Sequence, residues 1–502
     1  MTNDTSISGP RPLYNAAQVR ELDRTAIEAV GIPGYTLMTR AGERCWDCLR
    51  AGWPTVRVIA VVCGTGNNGG DGFVIARLAL AAGLKVVVLQ LGAADRIRGD
   101  ALLAREAYVA AGGVIAAFTP GALEGADVIV DALLGTGLGR PPEGEWRAAI
   151  EAINQTPAAV LAVDIPSGLQ ADTGAVAGVA VRADRTVTFI GRKAGLYTGQ
   201  GPDYAGEVVF SDLELPREVY QRAAPMAQLQ TWPLPGVLER PRFRTAHKGQ
   251  HGHVLVIGGD YGMAGAVRLA GESALRTGAG LVTLATRPEH AAVLAAACPE
   301  LMSHGVTGVL DLKPLLRRAT VIVIGPGLGQ SSWAQSLLAA VLEAGQPRVI
   351  DADALNLLAG EPVRADQQVL TPHPGEAGRL LGTTAAAVQA DRFTAAQEIS
   401  ERYGGTVVLK GAGTVITAAG QSPTVCAGGN PGMATAGMGD VLSGVLAGLL
   451  GQGLEPAVAA VTGVCLHGCA GDRAAVPGER GMTARDVIAE LRAVLNTAGV
   501  RV

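Results

Sequence analysis

Residues 56–72 read VRVIAVVCGTGNNGGDG: an apolar run that passes directly into a turn of glycines, two adjacent asparagines and one carboxylate. A run that is apolar throughout except for Arg57 predicts a strand buried on both faces, as in a parallel sheet. The glycines after it predict a tight strand-to-helix turn at the carboxyl end of that strand, where open parallel sheets bind their ligands. Working outward, Asn15 caps a helical pattern in NAAQVRELDRTAIEAVG, and a second helix follows Pro33. Strands are then expected at 56–62, 84–91, 126–130, 159–163, 186–190 and 207–210, separated by Ala-rich helical segments.

The rhythm stops between about 214 and 246, where repeated prolines suggest a linker, and resumes with strands at 253–258, 281–285, 321–324, 348–350 and 406–409 and a helical region from 437. A chain of 502 residues exceeds one ordinary core, so two α/β domains are expected, at 1–220 and 247–502, joined by 221–246. The echo between ALLGTGLG and VIGPGLG is too common a strand-to-loop pattern to establish duplication.

A net charge of −4 with both signs interspersed offers neither a basic stripe for nucleic acid nor a polybasic membrane surface. Small-molecule chemistry is the better expectation. The longest apolar stretch, from 441 onward, is broken by Gln452, Glu455 and Pro456, so no membrane helix is expected. Seven scattered cysteines form no disulfide framework, and the cytoplasm is the expected compartment. CWDC at 45–48 falls within a helix and is read as ordinary helix thiols; HKGQHGH at 247–253 runs into a strand that would splay its histidines, against a metal site.

Three N-terminal runs end in chemistry-bearing loops: CGTGNNGGDG, DALLGTGLGRP from Asp131 and DIPSG from Asp164. GTGNNG formally matches a dinucleotide fingerprint, but Leu89, Gln90 and Leu91 stand where a dehydrogenase needs an acidic residue for ribose. Asp131 and Asp164 are read either as helix caps or as site groups. Asn68, Asp131 and Ser167 could supply hard oxygen ligands to an alkali or alkaline-earth ion. In the second half, GGDYGMAGA, VIVIGPGLG, VIDADALNLL with Asp351 and Asp353, TPHPGE with His373 and VVLKGAGT with Lys410 all lie at strand ends. For Lys410 a hairpin with a solvated lysine competes with a phosphate-binding turn. GGNPGMATAGMGD brings a run of small residues to a helix start, with Asp440 in its first turn.

Together with FIGRKAGL, these motifs resemble the bifunctional NAD(P)H-hydrate repair family, over nearly the whole chain. The resemblance implies an α/β chain with an N-terminal Rossmann-like three-layer epimerase domain and a C-terminal ribokinase-like dehydratase domain. It implies that Asn67, Asn68, Gly69, Gly70 and Asp71 bind the phosphate-bearing hydrate and that Gly135, Thr136, Gly137, Leu138, Gly139, Arg140 and Pro141 line it. Asp164 would be the acid/base near C6, with Lys193 as partner, and Asn68, Asp131 and Ser167 would hold potassium (K+). In the second domain it implies that Ala266, Gly327, His373 and Asp440 face the hydrate, with Asp440 catalytic. Lys410, Gly411, Ala412, Gly413, Thr414 and Gly439 would contact the nucleotide. The implied phosphoryl donor is ADP, with ATP as the alternative, magnesium (Mg2+) accompanying it, and NADHX and NADPHX as substrates. A homo-oligomer is expected. The competing function is a ribokinase-like small-molecule hydroxyl kinase fused to a non-catalytic binding domain.

Overall fold

The computed structural model describes residues 9–238 and 242–497. The chain divides into two compact units, one from Pro12 to Ala227 and one beginning at Gln228. In the first, seven strands form an all-parallel sheet whose order is Ile115–Ala117, Lys85–Gln90, Val58–Cys63, Val128–Ala132, Ala159–Val163, Arg185–Phe189 and Glu207–Ser211. Numbered along the chain, that order is 3-2-1-4-5-6-7, the doubly wound arrangement whose crevice opens between the first and fourth strands. The pleat explains why Val58–Cys63 is apolar throughout. Ile59, Val61 and Cys63 pack with the helices Gly34–Gly52, Asn67–Ala81 and Gly99–Ala110, whereas Ala60 and Val62 pack with Gly144–Gln155 on the opposite face.

The helix Ala16–Glu28 begins as the sequence predicts: the Asn15 side chain accepts from the Gln18 amide at 2.8 Å, and Gln18 returns a bond to the Asn15 amide at 3.0 Å. Asp131, expected just beyond a strand, lies inside Val128–Ala132, in register with Val62 and Ala162. It is therefore not a helix cap.

In the second unit Met302–Gly305, Leu281–Thr286, His253–Ile257, Val321–Ile324, Arg348–Ile350, Gln368–Leu370 and Thr406–Leu409 run parallel, again in the order 3-2-1-4-5-6-7. Thr414–Ala418 and Thr424–Cys426 extend the sheet antiparallel. The segment expected as a linker is partly structured, since residues 228–230 pair parallel with 424–426. Val254 and Val256 face a layer made by the helices Ala264–Thr277, Met438–Gly451, Pro456–Ala474 and Ala484–Thr497. Among the described residues no helix is long and apolar enough to cross a membrane. Cys45 and Cys48 are buried within the helix Gly34–Gly52, as expected of packing thiols.

The helix Met438–Gly451 lies so close to Ala264–Thr277 that a β-carbon on Gly444 would sit 2.0 Å from the Ala270 carbonyl oxygen. G444A is expected to lower the stability of the second unit by ~1–3 kcal/mol through overpacking. Denaturant titration of the intact chain, following that unit's transition, checks this.

Candidate active sites

A cavity of about 450 Å³ opens at the switch point of the first sheet. Its lining draws on the turn after the first strand (Thr65 to Asn68), the turn after the fourth (Leu133 to Leu138), the carboxylate after the fifth (Asp164), and Lys193. Asp164 adopts φ 67°, a conformation rare for a non-glycine residue, which turns its side chain out of the strand direction. Its Oδ1 accepts from Lys193 Nζ, from the Phe189 amide at 3.2 Å and from Thr188 Oγ1 at 3.4 Å. Lys193, 1% exposed, also donates to the Phe189 carbonyl at 2.9 Å.

Three further carboxyl groups line the cavity: Asp23, Asp71 and Asp100. Burial, reinforced by Asp164 and Asp23 and only partly opposed by Lys193, holds Asp71 well above the usual carboxyl range. Burial and then Asp100 likewise raise Asp23. Asp23 was not foreseen, although Val19, Arg20, Asp23 and Ile27, all on the lining, follow the three-and-four spacing of one helix face.

Asn67, Asn68, Asp71, Gly135, Thr136, Gly137 and Leu138 line the cavity as expected; Gly69, Gly70, Gly139, Arg140 and Pro141 do not. The helix begins at Asn67, which places Gly69 and Gly70 within its first turn as packing residues: a β-carbon on Gly69 would lie 2.2 Å from the Gly64 carbonyl oxygen, and one on Gly70 2.6 Å from Met38. Gly66 is the N-cap and brings no side chain, so the first amides of this helix face the cavity without a capping group.

Behind the lining, Asp131 accepts from the Ser167 amide at 2.8 Å and the Ser167 hydroxyl at 2.6 Å, and both side chains are fully buried. Burial outweighs these bonds and pushes the Asp131 carboxyl up to about 6. Ser167 Oγ accepts from the Leu134 amide at 2.9 Å, and Asn68 packs on the same turn at Gly135. The Asn68 side-chain nitrogen is buried without a hydrogen-bond partner among the described residues.

In the second unit the focus is a residue noted in sequence but not assigned to the site. Asp351, 1% exposed, accepts from Lys410 Nζ at 2.8 Å and from Ser443 Oγ at 2.7 Å. Burial alone would raise this carboxyl, but Lys410 and the hydrogen bonds more than offset it and leave it lowered. Lys410, at the tip of the hairpin between Thr406–Leu409 and Thr414–Ala418, is thus not a solvated lysine; its ammonium also lies 3.8 Å from Glu376. Gly439 packs against this pair: a β-carbon there would lie 3.3 Å from Lys410 Nζ. Asp440, in the first turn of Met438–Gly451, is pushed up to about 7 by burial, then by Asp351 and Asp353, against the opposing pull of Lys410.

His373 caps the helix Pro374–Leu381: its Nδ1 accepts from the Gly375 amide at 2.9 Å, which requires the unprotonated nitrogen, and burial lowers its pKa. Ala266 and Gly327 meet at the second switch point, where a β-carbon on Gly327 would lie 3.2 Å from that of Ala266. The Gly411 and Thr414 positions form the hairpin turn, with Thr414 Oγ1 donating to the Gly411 carbonyl at 3.0 Å. The HKGQHGH histidines separate: His247 caps a short turn, and His253 Nε2 lies 2.7 Å from Thr283 Oγ1.

Residues 34–195 match the family model described as YjeF-related protein N-terminus, and residues 254–492 match that described as NAD(P)H-hydrate dehydratase. The bifunctional NAD(P)H-hydrate repair enzyme Nnr of Coxiella burnetii is 51% identical over 96% of this chain and 99% of its own. The enzyme of the same name from Escherichia coli is 46% identical over 98% of this chain and 95% of its own. A Bacillus subtilis ADP/ATP-dependent NAD(P)H-hydrate dehydratase crystallised with ATP and magnesium is 29% identical, covering 51% of this chain and 94% of its own, with a TM-score of 0.47.

Replacing Lys410 by Met leaves Asp351 buried without its cation. K410M is expected to destabilise the second unit by roughly 3 kcal/mol near neutral pH. Because the native Asp351 pKa is lowered, the stability it contributes exists above the unfolded carboxyl value and is lost as pH falls through the native one, so the deficit narrows in acid. Unfolding of K410M and of the wild type across pH measures it.

Proposed function

Because this chain belongs to the bifunctional NAD(P)H-hydrate repair enzymes, we propose that the first cavity interconverts the R and S hydrates of NADH and NADPH and that the second site dehydrates the S form with ADP. The observation that carries this reading is the recurrence, in each unit, of a lysine paired with a carboxylate at a candidate acid/base site: Lys193 with Asp164 in the first, and Lys410 with Asp351, both acting on Asp440, in the second.

In the first cavity the uncapped amides at Asn67 and Asn68 and the positive end of their helix suit the substrate's phosphates. Asp164, fixed by Lys193, exchanges a proton with the C6 hydroxyl. The oxygens of Asn68, Asp131 and Ser167 fit a potassium ion: they combine one buried carboxylate with neutral oxygen donors, and Asp131 is otherwise surrounded by hydrogen bonds rather than cations. Bound there, potassium would supply the missing positive charge and hold the Leu133–Leu134 turn in place.

In the second site Asp440 takes the proton of the C6 hydroxyl, whose oxygen attacks the terminal phosphorus of ADP and releases AMP. The ring nitrogen lone pair then expels phosphate, and loss of a C5 proton restores the dihydronicotinamide. His373, Ala266 and Gly327 border the hydrate, and the Lys410 to Thr414 turn with Gly439 borders the nucleotide. Magnesium would be carried by the nucleotide phosphates, since among the described residues no group of three His, Cys, Asp or Glu side chains converges to hold a divalent ion alone.

Incubating R and S hydrates with and without ADP, and following dihydronicotinamide absorbance, tests the reading; a lasting phosphorylated hydrate would instead indicate a hydroxyl kinase. D440N is expected to slow dehydration by ~10²–10⁴-fold while R/S exchange continues, and D164N to do the reverse. The wild-type dehydration rate should rise with pH through about 7 as Asp440 ionises. A second expectation concerns potassium. Since the native Asp131 pKa is raised to about 6, the protonated side chain favours the fold at low pH, and this advantage is lost as pH rises through that value. Potassium should therefore stabilise the first unit by ~2.7 kcal/mol at about 100 times its Kd above this pH, and little below it, as read from thermal unfolding.

A further inference from the structure

Where C6 inverts by departure and return of water, a carboxylate held on one wall serves only one ring face. The Oδ1 of Asp164 is pinned by Lys193, the Phe189 amide and Thr188, so this residue addresses a ring in the cavity from the strand-end wall. Exchanging the C6 configuration by departure and return of water requires a proton donor where the hydroxyl leaves and an acceptor where water re-enters, on opposite ring faces. That route calls for a second acid/base group on another wall of the cavity.

Asp23 meets that requirement. It lines the same cavity from the helix Ala16–Glu28, an element outside the glycine motifs. That helix is fixed at its start by the Asn15 capping box and by the Ala16 amide, which donates to Asp172 Oδ1 at 2.6 Å. Among the described residues, none hydrogen-bonds to the Asp23 carboxyl, which leaves its oxygens available to a ligand. Asn68, on the same lining, likewise presents a buried amide nitrogen with no partner. Asp71 and Asp100 also line the cavity, from the helix that follows the first strand and from the first turn of Gly99–Ala110, whereas Asp23 comes from a helix separate from both. The charged groups facing Asp23 are Asp71, Asp100, Asp164 and Lys193, with Arg20 on its own helix.

Resting on the epimerase reading above, we propose that Asp23 is a second catalytic acid/base of R/S exchange, acting on the ring face that Asp164 does not reach. One of the two carboxyl groups donates a proton to the C6 hydroxyl; the C6–O bond breaks, water departs, and the ring nitrogen lone pair forms a C6–N1 iminium. Water then adds to C6 from the other face and gives its proton to the other carboxylate. The nitrogen recovers its lone pair, no redox change occurs, and the proton returns between the two groups through water.

The test uses the full chain, whose dehydratase activity reports on integrity in the same molecule. D23N is expected to lower kcat for R/S exchange by ~10²-fold or more, with KM little changed and ADP-dependent dehydration of the S hydrate unaffected. D23E, which keeps a carboxyl group, should recover much of the exchange with a displaced limb in its pH profile. In ¹⁸O-labelled water the wild type should place label at C6 in step with inversion. Wild-type kcat in D23N, a change in KM alone, an undisplaced D23E profile, or inversion without label would each overturn the proposal. If D23N also loses the first unit's thermal transition, D23E and the labelling decide. A wild-type chain that fails to exchange the epimers would count against the epimerase reading itself.

Discussion

Both sites depend on two backbone turns touching where the strand order reverses. In the first unit a β-carbon on Gly64, immediately after the first strand, would lie 2.0 Å from the carbonyl oxygen of Leu133, just after the fourth. In the second unit one on Gly258 would lie 2.0 Å from the carbonyl oxygen of Pro326, again joining the turns after the first and fourth strands. No side chain fits in either gap. Because the turns close against each other, the residues just beyond them are held at the mouth of the crevice: Asn67 and Asn68 with Leu133 to Leu138 in one unit, Ala266 with Gly327 in the other. The shared strand order makes the two crevices alike in construction, while the residues placed at their rims set different chemistry.

The legibility of each element depends on how local its signal is. The strands at 58–63 and 321–324 could be read because both faces are buried and the apolar run is unbroken. Met302–Gly305 and Gln368–Leu370 could not: the first is a largely exposed edge strand of sequence MSHG, and the second spans three residues. Asp164, Lys193 and Asp440 could be singled out as candidates because each sits within a local motif at a strand end or helix start. For Gly69 and Gly70 a sequence cannot say whether a glycine is there to approach a ligand or a neighbouring group, and the structure shows both packed closely on their surroundings.

Asp23 and Asp351 illustrate the opposite failure. Asp351 ends a strand and was visible as such, but its partners, Lys410 and Ser443, lie 59 and 92 residues away, and only the fold brings them together. Asp23 sits on an amphipathic helix where a partly buried carboxyl group looks like an ordinary solvated position. What distinguishes it is a cavity built largely from residues far along the chain.

Each crevice distributes one lysine among several carboxyl groups, and this unequal sharing assigns proton roles. In the second site Lys410 is committed to Asp351, whose lowered pKa keeps a negative charge in place; that charge and burial together raise Asp440 to about 7. Burial first, and then a permanently ionised neighbour, thus bring the base into the neutral range, where it can accept a proton and also release it. In the first cavity Lys193 is committed to Asp164, and Asp71 and Asp23 are raised by burial and by the surrounding carboxylates. There the same arithmetic yields a fixed ion pair together with carboxyl groups biased toward their neutral form. A reaction that must give a proton on one side and take one on the other needs both states present at one pH, and one buried cation shared unequally among several acids provides them.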